Sequence, residues 1–156
     1  MIRSALNEIP VFEKLDRVQI DELNEWLTRK EFSPGALIIK DGDATDGIYV
    51  LAKGTVEVVK GAGFELVVLA ELESPSVVGE TGLLSGQQRS ASIRAKTPVI
   101  AGFLPGELFE KKLSEDNITA LRIALNLGRI TAARLRVATK SLAELTEATR
   151  DYSGHF

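Results

Sequence analysis

The chain contains no cysteine and one histidine, His155, which stands next to the C-terminal residue. Without thiols there is no disulfide framework, no thiolate zinc site and no cysteine nucleophile. One imidazole cannot build a multi-histidine cage, so a metalloenzyme on a rolled sheet is set aside, and His155 in "DYSGHF" reads as a frayed terminal residue. An excess of basic residues is missing too: 19 Lys and Arg face 22 Asp and Glu, for a net charge of −3. Nucleic acid is therefore a poor candidate for the main partner. No segment approaches the ~20 apolar residues of a membrane span, and the opening "MIRSALNEIPVFEKL" lacks the apolar block of a secretory signal. The expectation is a soluble, cytoplasmic protein with no membrane attachment. At 156 residues it suits one domain, 1–156, with room for a core of its own.

Three regions differ in period. From Asp16 to Arg29 the residues Ile20, Leu23, Trp26 and Leu27 recur at helical spacing, and Asp16 with Gln19 makes a capping box. From about 32 to 104 the chain breaks into short apolar runs: "ALIIKDGD", "GIYVLAKG", "TVEVVKG", "ELVVLAEL", "SASIRA" and "VIAGFL". Turn residues separate them, Ser33-Pro34-Gly35 and Asp41-Gly42-Asp43 among them, which predicts a closed or rolled antiparallel sheet. After Pro105-Gly106 the period is helical again, with "ELFEKKL" as a short helix and a long one over about 117–147. The fold expected is mainly β: an antiparallel β-roll of the jelly-roll or double-stranded β-helix kind, between an N-terminal helix and a long C-terminal helix.

The long helix carries two apolar stripes. Leu121, Leu125, Gly128, Ala132, Leu135, Thr139 and Leu142 step by fours and threes, the spacing of a coiled-coil seam, while Ile123, Leu127, Ile130 and Val137 mark a second face. One stripe can pack on the roll and the other on a partner helix, so a homodimer is expected. Gly128 and Ala132 would let two backbones approach. Arg122, Arg129, Arg134, Arg136 and Lys140 on the same helix read as a solvated face.

The stretch "VVGETGLLSGQQRSASIRA", Val77 to Ala95, carries the chemistry. Read as strand, one helical turn and strand, it leaves the amides at the start of "ETGLL" open to an anion, with Thr81 and Gly82 leaving room for close approach. Arg89 can fork onto two phosphate oxygens, and Ser90 can add a hydroxyl. Glu80 is the discriminating residue, since a carboxylate repels phosphate but accepts hydrogen bonds from sugar hydroxyls. Together they describe a site for a sugar phosphate. Spacing alone admits another arrangement equally well, an ion pair between Glu80 and Arg89 across a surface turn.

The same stretch resembles the phosphate-binding cassette of the cyclic nucleotide-binding domain family, in the form found in the bacterial catabolite activators. The resemblance continues through "FSPGALIIKDGDATDGIYVLAKGTVEVV" into "ARLRVATKSL", from about Ile9 to Ala148. It implies a regulatory module and not an enzyme, binding cyclic AMP or, secondarily, cyclic GMP, with no other cofactor and no metal. It implies that Gly79 and Glu80 hold the ribose 2′-hydroxyl, and that Arg89 and Ser90, with amides near Thr81, hold the cyclic phosphate. Thr139, beside Ala138, would reach the purine, and Arg134 would partner Glu80. Gln88, Val78 and Ala138 depart from common family choices, the last removing one contact to the base. Family members that act on DNA append a helix-turn-helix after the long helix. None is expected here, so the output would pass to an effector protein or through self-association. The competing expectation is a scaffold of the same fold that binds no nucleotide.

Overall fold

The structure, a computed structural model, describes residues 1–80 and 88–153. The strands are β1 (Thr28–Phe32), β2 (Leu37–Ile39), β3 (Gly47–Lys53), β4 (Thr55–Lys60), β5 (Val67–Glu73), β6 (Ser76–Val78), β7 (Ser92–Ala95) and β8 (Val99–Pro105). They form two four-stranded antiparallel sheets, in the orders β1-β8-β3-β6 and β2-β7-β4-β5. The helices are α1 (Ile2–Leu6), α2 (Arg17–Trp26), α3 (Gly106–Ser114) and α4 (Ile118–Ser153), with short 3-10 turns at Pro10–Phe12 and Gly63–Glu65. Each apolar run noted in the sequence is a strand, and the expected roll with flanking helices is the observed architecture.

The alternation along β3 shows how two cores share one sheet. Ile48 and Val50 point to one face and join Leu6, Phe12, Leu23, Leu104, Ile123 and Leu127 under the helices. Tyr49 and Leu51 point to the other and meet Ile39, Val56, Val78, Ile93 and Val99 between the sheets. A strand buried on both faces shows a near-continuous apolar run, as "GIYVLAK" does. β6 follows the same rule, with Val77 against the helix-side core and Val78 inside the roll.

Helix α2 is shorter than the periodicity of Asp16 to Arg29 suggests. Asp16 Oδ1 accepts from the Gln19 N–H at 2.9 Å, and Gln19 Oε1 accepts from the Asp16 N–H at 3.0 Å, so the capping box forms in full. The helix nevertheless ends at Trp26, Leu27 is extended (φ −89°, ψ 133°), and Thr28–Phe32 pairs with Val99–Phe103. The ladder to β8 overrides the helical spacing of Leu27 and Arg29, and the roll begins at residue 28 instead of 32. Helix α1 and the turn at Pro10–Phe12, not assigned from sequence, seal the helix-side core with Leu6, Ile9 and Phe12.

Helix α4 is clamped at its start and solvent-exposed over its later turns. Asn117 Oδ1 caps it by accepting from the Ala120 N–H at 3.0 Å, and Asn117 Nδ2 and Thr119 Oγ1 donate to the Glu22 carboxylate at 2.7 and 2.6 Å. Asn126, buried, donates to the carbonyls of Val11 and Glu13 at 3.0 and 2.9 Å. Ile123 and Leu127 are buried and Ile130 is half-buried, so three of the four second-face residues dock on the chain itself. Val137 does not; it is exposed, as is every residue from Thr131 to Tyr152. The helix also runs to Ser153, beyond the 147 expected. Among the described residues no helix is long and apolar enough to cross a membrane.

Candidate functional site

Strand β6 is followed by Gly79, where φ is +85°, a left-handed conformation natural to glycine. Its carbonyl accepts from Arg89 Nη1 at 2.7 Å. A methyl group at Gly79 would lie 2.6 Å from that same nitrogen and 3.0 Å from Ile39 Cδ1, so the absence of a side chain lets the guanidinium lie against the main chain. Arg89 Nη2 donates to the Gly47 carbonyl and lies 3.5 Å from Asp46 Oδ1. The backbone of Arg89 is equally held: its N–H donates to Asp43 O at 2.9 Å and its carbonyl accepts from the Gly42 N–H at 2.8 Å. The Arg89 side chain is 6% exposed, against 68% for Asp46.

Glu80 faces a different cation. Its Oε1 accepts from Arg134 Nη1 of α4 at 2.6 Å, with the glutamate side chain 15% exposed and the arginine 64%. The Glu80–Arg89 ion pair that spacing allowed does not form, because each residue is engaged elsewhere. Glu80, Gly79 and Arg134 line a cavity of about 470 Å³ between the roll and the helices, whose apolar walls include Val58, Leu72, Ile93 and Ile130. Arg89 does not line this cavity itself, but its guanidinium lies against the main chain of Gly79, which does. Tyr49 is near Arg89 and Asp46, and its phenol is pushed up from the ordinary tyrosine range, first by burial and then by Asp46, with Arg89 opposing.

The remaining expected site residues are placed less closely. Ser90 is exposed, and its carbonyl accepts from Lys60 Nζ at 2.7 Å. Thr139 Oγ1 donates to its own helix at Leu135 O, 2.9 Å away, on the exposed part of α4, and Thr139 does not line this cavity. Thr81 and Gly82, with the amides expected to receive an anion, lie outside the described residues, as does His155. Sequence reading missed Asp46 and Gly47, which hold Arg89; "DGDATDG" gave a turn signal, and nothing in it indicated which side chain the turn would meet.

Residues 29–116, more than half of the chain, match the model of the cyclic nucleotide-binding domain. The chain belongs to the cyclic nucleotide-binding domain family. It is 32% identical over 114 residues to a cAMP-dependent protein kinase type II regulatory subunit of Drosophila melanogaster, covering 72% of this chain and 30% of that protein. It is 32% identical over 110 residues to human cGMP-dependent protein kinase 2, covering 70% of this chain and 14% of that one. Among solved structures it is similar to the Thermus thermophilus catabolite activator protein, with a TM-score of 0.76 and 28% identity, covering 88% of this chain and 63% of that one. The chain spans less than a third of the length of these kinase relatives.

In this member of the cyclic nucleotide-binding domain family, Gly79 is a position at which a side chain is poorly tolerated. Gly79→Ala combines a positive φ, costing about 1–2 kcal/mol for an L-residue, with a collision against the guanidinium. The expected outcome is a thermal midpoint lowered by roughly 4–8 °C, read by calorimetry. A midpoint within a degree of the parent would show that neither the backbone conformation nor the packing of Arg89 is required.

Proposed function

We propose that this chain, 1–156 as one module, is a regulatory domain that binds a cyclic mononucleotide, cyclic AMP in preference to cyclic GMP, and performs no catalysis itself. The observation that carries the reading is the buried Arg89, fixed against the main chain of Gly79, which with Glu80 lines an apolar-walled cavity. The phosphate would take the guanidinium in place of Asp46, whose contact is long and whose side chain is largely exposed. Ser90 and the segment at Thr81 would complete the phosphate contacts. The ribose hydroxyl would donate to Glu80, and the base would lie against the apolar wall, with Thr139 reaching it only after α4 moves or from a second subunit.

Glu80 is bonded to Arg134 of α4, so a ligand that recruits Glu80 alters the hold on the exposed half of that helix. The helix arrangement that binds the ligand better becomes more populated. The exposed leucines Leu121, Leu125, Leu135 and Leu142 support a homodimer through α4. Gly128 fits this reading, because a side chain there would meet nothing within its own chain, leaving close helix approach as its use.

A second reading has its own support. Glu80 and Arg89 already have protein partners in Arg134, Gly79 and Gly47, so the fold needs no ligand to satisfy them, and a nucleotide-free docking scaffold is consistent with that. Titration with cyclic AMP, cyclic GMP and cyclic dinucleotides, followed by thermal unfolding, separates the two. Ligand at a hundredfold excess over its Kd raises stability by about 2.7 kcal/mol, whereas a scaffold shows no shift with any of them.

A further inference from the structure

Strand β7 pairs with β4 only as far as Val59↔Ser92, so the peptides at Arg89, Ser90 and Ala91 lie beyond the ladder and need other partners. The turn at Asp41–Asp43 supplies several. Gly42 donates to the Arg89 carbonyl, Arg89 donates to the Asp43 carbonyl, and the Asp41 N–H donates to Ser92 Oγ at 2.9 Å. Lys60, the residue of β4 that follows Val59, closes the set: its Nζ donates to Asp41 Oδ2 at 2.8 Å and to the Ser90 carbonyl at 2.7 Å. One ammonium thus joins the turn to the peptide unit that leaves Ser90.

We propose that Lys60 is a positioning residue for the anion-binding segment, holding the Ser90 peptide so that the Ser90 hydroxyl and the Arg89 guanidinium keep their relative placement. The inference rests on the ligand reading given above. As a surface ion pair, with Lys60 52% and Asp41 35% exposed, the contact is worth little to stability. Its value is geometric, because a carbonyl bound on one side fixes the plane of a peptide whose neighbours must meet a phosphate on the other.

The test measures binding of cyclic AMP and of its two phosphorothioate diastereomers, in which sulfur replaces one or the other exocyclic oxygen. Lys60→Met is expected to raise the Kd for cyclic AMP roughly five- to tenfold and to change the ratio of the diastereomer affinities by about threefold or more. Lys60→Arg, which keeps a cation with several donors, is expected to stay within about twofold of the parent on both measures. An unchanged Kd in Lys60→Met, or a loss with the ratio unchanged and shared by Lys60→Arg, overturns the assignment. If the parent binds cyclic AMP and the variants behave in this flat way, the clamp alone is rejected. If the parent binds none of the three ligands, the binding reading itself fails and the clamp falls with it.

Discussion

Replacing Arg89 with alanine is expected to weaken cyclic nucleotide binding at least about a hundredfold, roughly 3 kcal/mol, and to lower the stability of the ligand-free protein as well. Both effects have one cause. The guanidinium is almost wholly buried and its donors go to the carbonyls of Gly79 and Gly47, so removing it leaves those carbonyls without their donor inside the structure. Each such loss costs about 1–3 kcal/mol. Calorimetric titration and a thermal melt on the same sample read the two together. Arg89→Lys separates them, since it keeps a charge but cannot reproduce the planar fork reaching two main-chain oxygens; it is expected to recover part of the stability and little of the affinity. Undiminished binding by Arg89→Ala would remove Arg89 from the site.

The second large effect is expected on assembly. With Leu135 and Leu142 each 66% exposed and every residue from Thr131 to Tyr152 exposed, the distal half of α4 buries no apolar face against its own chain. A lone helix of this kind is marginal in water, because its amphipathic face normally gains its stability from packing. The double substitution Leu135→Glu, Leu142→Glu is expected to raise the dimer dissociation constant at least about a hundredfold, read by analytical ultracentrifugation. Because these residues lie outside both cores, the melting of the roll is expected to change little. A parent protein that sediments as a monomer, or a variant that dimerises undiminished, would rule out α4 as the interface.

Much of the architecture was readable before any coordinates. The apolar runs gave strands because their spacing and turn residues leave few other options, and Asp16 with Gln19 gave the start of α2 because a capping box is a local device. Where sequence reading failed, a distant partner was responsible. Thr28–Phe32 is a strand because β8 lies beside it, and "TRKEF" shows no apolar alternation from which to read that. Val137 sits on the same periodic stripe as Ile123 and Leu127, yet it is exposed because the body of the protein ends near Ile130.

The candidate site divides in the same way. The residue types in "VVGETGLLSGQQRSASIRA" determined the chemistry on offer: one hydroxyl-accepting acid, one forked cation and a glycine that admits a close main-chain approach. The family resemblance implied Arg134 as the partner of Glu80, as observed, whereas tertiary structure alone decided that Arg89 would rest on Gly79, Gly47 and Asp46. The reason is range. Turn, cap and strand preferences act over a few neighbouring residues, whereas the partner of a side chain is set by which segments the two sheets and α4 bring within hydrogen-bond distance.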